Sequence, residues 1–477
     1  MLSDARLAAV PGDGVVVSVS LGGASAVFAP GSASERTVGD ETDNRVTQAL
    51  GVYDEDGGLV AARAVAVADP ILEGFTATGY ALDSLADGTL FTAGRFLAGA
   101  RFGGTDARAV TLQTVREMPE EDVVITSEEG YVARFDPARA IEWARRARSE
   151  SGLAHHAVID LDALEDGSSI LAGSFEDGAV TLGEGEPSET RFSAAGVARE
   201  TFLARLDPDG ALSWARRIGG QTSPRRVAAL PDGSFFALVR FGSAATFGPG
   251  EALERTLPAP PTGTQESDAV ARYDADGRLL WVTPLVVDDA TTYPGLRDLV
   301  PQADGSLIVA GTFRGEVSWP DEAEVPPHTV YGVEGLLARL DADGRLVWQR
   351  RLRPVNTLQV HALAPAEVGG TWVAVSVSTH GATFTPEGGE PLVLAGGPVT
   401  RLVLLRYDDE GLLRTAHLVA DDDAGADDVL PLASGDLVIV GRYGDGTVLE
   451  PGTGEEVALP PALAFRNLFL ARYSPLP

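Results

Sequence analysis

The stretch Leu336–Arg351, LLARLDADGRLVWQRR, writes a strand, an Asp-Gly turn and a second strand in one line. An Asp-Gly turn between two apolar runs is a strong hairpin signal. The phrase returns along the chain. It reads YVARFDPARAIEWARR from Tyr131, FLARLDPDGALSWARR from Phe202, AVARYDADGRLLWVTP from Ala269 and VLLRYDDEGLLRTAHL from Val403. A degenerate first copy is ALGVYDEDGGLVAARA from Ala49, and a truncated last one is FLARYSPLP from Phe469. Anchored at Val52, Arg134, Arg205, Arg272, Arg339, Arg406 and Arg472, the copies stand 82, 71, 67, 67, 67 and 66 residues apart. So even a period marks a repeat architecture.

A second phrase lies between these copies. Examples are LADGTLFTAGRFLAGARFG from Leu85, LEDGSSILAGSFEDGAVTLG from Leu164, LPDGSFFALVRFGSAATFG from Leu230 and QADGSLIVAGTFRGEVSW from Gln302. Weaker copies begin at Pro11, Glu367 and Leu432, so this count is also seven. Each unit therefore reads as four strands. Strand A enters the first Asp-Gly turn, B leaves it, C is the F-L-A-R-L-D segment and D the L-x-W-x-R segment. Such a unit cannot bury both its faces alone, and radial stacking of these units gives a propeller. A β-helix has shorter coils without antiparallel turns. The expected fold is all-β: one seven-bladed β-propeller of four-stranded antiparallel blades over 1–477. The blades fall at about 1–68, 69–150, 151–221, 222–287, 288–355, 356–420 and 421–477. The last copy stops after strand C and Met1–Ala5 is too short to complete it, so the seventh blade is expected to have three strands.

The order of these phrases resembles bacterial propeller repeats of the NHL and SBBP types. The ending DADGRLVW is also similar to the docking phrase of PQQ-type repeats, which implies a Trp packed on the adjacent blade. The resemblance is one of fold and implies no particular activity. A quinoprotein is disfavoured by the blade count and by the lack of a Cys pair.

The charge of −32, with no Lys among the 37 basic residues, repels phosphate backbones and anionic lipid. Nucleic-acid and membrane-surface partners are not expected. The chain has no Cys and no run of about 18 apolar residues. Met1–Asp4 leads directly into the repeats, so the chain is expected to be cytoplasmic, or exported with its signal removed. No cofactor is called for, and a monomer is expected unless an assembly holds it.

The D-x-D-G turns at Asp207–Gly210, Asp274–Gly277 and Asp341–Gly344 lack the further oxygens of a calcium loop and read as hairpin turns; no metal site is expected. Trp143, Trp214, Trp281 and Trp348, and the anchoring arginines, recur once per repeat and read as packing and turn contacts. His155, His156, His328, His361, His380 and His417 show no ligand spacing. Between strands B and C each repeat carries a second short hairpin. Its arms are, for example, Val180–Leu182 with Arg191–Ser193, and Val317–Trp319 with Thr329–Tyr331. The tips are acidic and variable: Glu184, Glu186, Glu189, Glu251, Asp321, Glu322, Glu324, Glu387 and Glu390. Chain direction places the B–C connections on one face, opposite the tight turns, which predicts a face crowned by seven hairpins.

Function in a symmetric fold should break the symmetry. Counting back seven or eight residues from each A–B turn glycine reaches Arg6, Tyr80, Asp160, Arg226, Asp298, His361 and Asp428, all polar or aromatic and all different from their neighbours. These are the candidate binding residues at a channel mouth, with Arg6 and Arg226 suited to an anionic group and His361 to proton exchange. No catalytic motif is present. The expected function is a non-catalytic binding or scaffold propeller engaging a protein or glycan partner through the crowned face. The alternative is a hydrolase or lyase at the channel mouth.

Overall fold

The computed structural model describes residues 5–21, 26–30, 32–39, 46–68, 77–97, 99–103, 107–114, 116–120, 123–150, 155–194, 199–261, 266–287, 295–320, 332–352, 357–367, 369–378, 381–397, 399–461 and 467–474. Among these the fold is all-β, without a helix, and no helix is long and apolar enough to cross a membrane. The chain divides into two compact units: Met1–Val239 with Ser243–Pro258 and Tyr273–Leu280, and Arg240–Gly242 with Ala259–Arg272 and Trp281–Pro477. The strands of the fourth repeat are shared between them.

In the first unit three repeats form antiparallel A-B-C-D sheets. They are Arg6–Val10, Gly14–Ser20, Val46–Tyr53 and Leu59–Ala68; Ala77–Ser84, Leu90–Leu97, Glu128–Phe135 and Ile141–Ser149; and His155–Ala163, Ser169–Glu176, Glu200–Leu206 and Leu212–Ile218. In the second unit the fifth and sixth repeats follow the same order, from Leu296–Pro301 to Leu346–Leu352 and from Thr357–Pro365 to Leu413–Ala420. The seventh repeat has three strands, Gly425–Pro431, Leu437–Tyr443 and Asn467–Tyr473. Met1–Asp4 lies outside the described residues, and Ala5 joins no strand. Within each unit successive A strands pack side by side, a propeller-like arrangement. Strand B is buried on both faces, as Phe235–Val239 and Leu307–Ala310 show. The core clusters accordingly draw on pairs of consecutive repeats; one joins Val132 and Ala147 to Leu171, Phe202 and Leu206. The long first spacing is explained by an added hairpin, Arg116–Glu120 with Val123–Thr126.

The recurring arginines and tryptophans hold the turns. Arg205, Arg339 and Arg472 reach Asp166, Asp304 and Asp436 of their own A–B turns at 2.7, 2.7 and 2.6 Å. The indole N–H groups of Trp143, Trp214 and Trp281 donate to the carbonyls of Pro208, Ala275 and Ala342 in the next repeat's C–D turn, at 3.0, 3.0 and 2.7 Å. Arg145 grips the same turn through Gly210 O and Asp209 O. The ring lies on the turn glycine: a Cβ at Gly210, whose φ is 81°, would stand 2.8 Å from Trp143. The first repeat has Ala61 opposite Val52, where the second, third and fifth place Trp opposite Arg. The following turn can then carry Arg139, a non-glycine residue at φ 68°. Removing the tryptophan removes the requirement for glycine. The aspartates of the D-x-D-G turns are spent on backbone: Asp274 Oδ1 accepts N–H from Asp276 and Arg278, and Asp341 Oδ1 from Asp343 and Arg345.

The B–C hairpins form, as in Ala179–Leu182 with Thr190–Ser193 and Ala382–Phe384 with Leu392–Leu394. In the fifth repeat Val317–Ser318 pairs instead with Val286–Val287, while Thr329–Tyr331, Asp321, Glu322 and Glu324 lie outside the described residues. They do not stand up as a crown. Val180 and Thr181 pair antiparallel with Ser149 and Arg148, the end of the preceding strand D; Phe102 pairs likewise with Ala66, and Leu449 with Ala420. Antiparallel pairing turns these three hairpins back along the flank of the preceding sheet, toward the C–D turn. The tips end on the start of their own strand D. Leu212 N–H donates to Glu186 and Leu279 N–H to Glu251, both at 2.6 Å, and Glu387 N–H donates to Leu413 O at 2.8 Å. The described tips thus serve packing, filling the wedge between neighbouring sheets.

Candidate functional site

Five of the residues counted from the turns, Tyr80, Asp160, Asp298, His361 and Asp428, sit on or beside a bulge in strand A, while Arg6 lies in a regular pair. Register shifts fall between Gly79 and Ala81, Val158 and Asp160, Leu296 and Asp298, Val360 and Ala362, and Ala426 and Asp428. Tyr80 and His361 are the extra residues; Asp160, Asp298 and Asp428 come one later. An extra residue reverses the alternation of side chains, so counts of eight and of seven residues reach two different environments.

Most of these side chains bind neighbouring strands. Arg6 Nε donates to Tyr80 O at 2.8 Å. Asp160 is buried, accepts Val227 N–H at 2.8 Å and pairs with Arg226 at 3.4 Å. Asp298 is also buried and accepts N–H from Leu299 and Leu363 at 3.0 and 2.8 Å. Asp428 accepts Val429 N–H at 3.0 Å, and His361 Nε2 lies 2.8 Å from Ser376 Oγ. Two more carboxylates, not picked out by the count, do the same work: Asp83 accepts Ala163 N–H and Asp162 accepts Ala229 N–H, at 2.7 and 2.6 Å. The structure brings Arg6 to Tyr80 and Asp160 to Arg226, as a lacing of A strands.

Tyr80 belongs to a second group, at the B–C end of the second and third repeats. Arg95 of strand B lies with Cζ 5.8 Å from the Tyr80 ring centre and donates to Glu128 at 2.7 Å. His155 Nδ1 is 3.2 Å from the same Glu128 oxygen, and Arg199 pairs with Glu176 at 3.2 Å. Glu128 opens strand C and faces His155 across a parallel bridge, while His155 pairs with Glu176. Two sheets thus meet in one polar cluster. It is open to solvent: the side chains of Arg95, Arg199 and His155 are 41, 48 and 54% exposed. Burial raises the Tyr80 hydroxyl pKa, with Arg95 acting against that shift. The cluster can donate through two guanidinium groups and a phenol, and His155–Glu128 can exchange a proton.

Sequence alone does not single out Arg95: five residues after the start of strand B stand Arg95, Ser174, Arg240, Thr312, Ser376 and Arg442, arginine in three of these repeats and a hydroxyl in the other three. In the second unit Arg442 meets the buried Asp427 at 2.9 Å, and Arg240 meets the buried Asp268 at 2.8 Å. Only Arg95 keeps an exposed face; Arg240 and Arg442 are 16 and 28% exposed. Among the described residues no three His, Asp or Glu side chains come together as a metal site.

No sequence-family model matches the chain, and no curated protein does. The likeness to NHL, SBBP and PQQ repeats thus rests on the quoted phrases alone. Solved structures are similar in fold at low identity. Sqt1 from Chaetomium thermophilum is 11% identical, with 92% of this chain and 94% of that chain covered at a TM-score of 0.40. The intramolecular trans-sialidase from Ruminococcus gnavus is 8% identical, with 99% and 94% covered at 0.38. A puromycin hydrolase is 17% identical, with 93% and 58% covered at 0.36. At these scores none bears on what this chain binds or transforms. The class established is an all-β protein of propeller-like repeats.

Proposed function

We propose that the protein is a binding propeller of seven blades, one per repeat, that takes a polar ligand on a protein or glycan partner at the Tyr80–Arg95–Glu128–His155–Arg199 cluster. The blade count is supported by the seven copies of both phrases. A crystal structure with any other number of blades would overturn it. The binding reading is carried by one observation. Arg240 and Arg442, at the same place in two other repeats, are paired with buried aspartates, whereas Arg95 keeps its guanidinium in solvent. Exposed, oriented guanidinium groups recognise carboxylates and other planar anions through paired hydrogen bonds. The test is an array of acidic and neutral glycans probed with the native protein and with Arg95→Ala/Arg199→Ala. Saturable binding that falls at least tenfold in the variant supports the site, and equal binding by both removes it.

His155 beside Glu128 supports a second reading, a hydrolase or lyase working at the same place, because such a pair can take and return a proton. Glu128→Gln separates the two. An enzyme loses turnover of a cleavable glycan and keeps its affinity, whereas a binder shows no turnover in either form.

A further inference from the structure

We infer that the cavity between the second and third repeats is a binding site for a neutral, mainly apolar small molecule. The cavity measures about 330 Å³. Its walls are Val132 and Ala147 from the second repeat and Val158, Leu171, Phe202 and Ala204 from the third. Arg145, Arg146, Glu184 and Glu186 stand at its polar mouth. The mouth charges are already paired: Arg146 holds Glu184 at 2.9 Å and Arg145 holds Gly210 O at 3.1 Å. They balance one another, so a ligand gains from the apolar interior and needs no net charge.

The space lies where three positions carry smaller side chains than they do at the interface of the fifth and sixth repeats. Gly130 faces Ala147 across strands C and D, as Gln48 faces Ala66 and Leu402 faces Ala420, whereas Thr201 faces Ile218 and Gly335 faces Leu352. Leu206 ends strand C where Tyr53, Tyr407 and Tyr473 end theirs. In the same strand Ala204 matches Leu405 of the sixth repeat. The corresponding core between the fifth and sixth repeats is filled by Leu352, Leu405 and Tyr407. Three smaller side chains at one interface of a repeat array leave a hollow that the sequence elsewhere shows how to fill. Its volume is about twice the roughly 150 Å³ apolar cavity that takes one benzene ring, and falls in the range of small-molecule pockets. A body of two fused rings, or an alkyl chain of similar size, fits that volume.

The probe is N-phenyl-1-naphthylamine, a neutral dye that brightens in apolar surroundings. The native protein is expected to bind it saturably with one site per chain. Ala147→Ile and Leu206→Tyr each restore the residue of another repeat, and each is expected to weaken dye binding at least tenfold while the chain still melts cooperatively. Two fillers are used because one of them can overpack and unfold; cooperative melting identifies the variant to be read. No saturable binding by the native protein, or undiminished binding by a folded filler, overturns the proposal. Arg95→Ala leaves dye binding unchanged, so the result is independent of the cluster around Tyr80.

Discussion

Trp348 donates its indole N–H to the backbone carbonyl of Asp409, sixty-one residues away, at 2.7 Å, and its ring covers Gly411 of the same turn. A Cβ on Gly411, whose φ is 72°, would stand 2.7 Å from the ring. Gly411→Ala is expected to cost about 2 kcal/mol or more, since left-handed backbone alone costs an alanine roughly 1–2 kcal/mol. In a Trp348→Ala background the same change should cost measurably less, as Arg139 after Ala61 already illustrates. Urea unfolding of the four proteins of this cycle measures the coupling, and additive losses would remove it.

Trp348→Phe keeps an aromatic ring but removes the donor and part of the indole that covers Gly411. The Asp409 carbonyl still accepts from Arg339 Nη1 at 2.8 Å, so it is not stranded. The expected loss is at least about 1 kcal/mol, one hydrogen bond plus the lost ring contact, read from the urea midpoint.

His156 is buried under the third hairpin, with Nε2 3.2 Å from Ala179 O and its ring edge-on to Phe175. Burial holds its pKa below the ordinary histidine value, against the backbone bonds that raise it. The unfolded chain therefore binds more protons, and stability falls as pH drops below about 6.5. Urea midpoints of the native protein should decline between pH 7.5 and 5.5 more steeply than those of His156→Phe.

Asp162 has the opposite sign. Its carboxyl is half-buried among the A strands, and desolvation, then the Asp83 charge, hold its pKa well above the usual carboxylate range. The folded state keeps a proton that the unfolded chain releases. This contribution is complete below about pH 4 and is lost as pH rises through the folded value. Asp162→Asn carries the donor permanently and keeps the acceptor for Ala229 N–H. Its melting temperature should vary less than that of the native protein between pH 4 and 8.

Much of this was legible in the sequence. The Asp-Gly turns, the four strands per repeat, the Trp contact with the next repeat and the Arg contact with the A–B turn each leave a local pattern repeated several times. The bulge in strand A recurs eight residues before the turn glycine, but the residue there varies, as Tyr80, Ile159, Arg297, His361 and Asp427 do, so no residue type marks it. Counting eight residues back in some repeats and seven in others therefore places Tyr80 and His361 in one register and Asp160 and Asp298 in another. Hairpin tips such as Glu186 and Glu251 read as free acids because their partner is a backbone N–H about 26 to 28 residues onward. Recurrence could have identified the lacing: Asp83 and Asp162 stand five residues before Gly88 and Gly167.

Strand D of the second repeat is held at both ends by the third: at its start by the turn around Pro208 and Gly210, at its finish by the hairpin Ala179–Leu182. Each D strand therefore meets a partner surface written within one following repeat. Recombination that duplicates or deletes a whole repeat of the gene joins two surfaces that already match. Arrays of this kind can change length over evolutionary time without inventing a new interface at the splice.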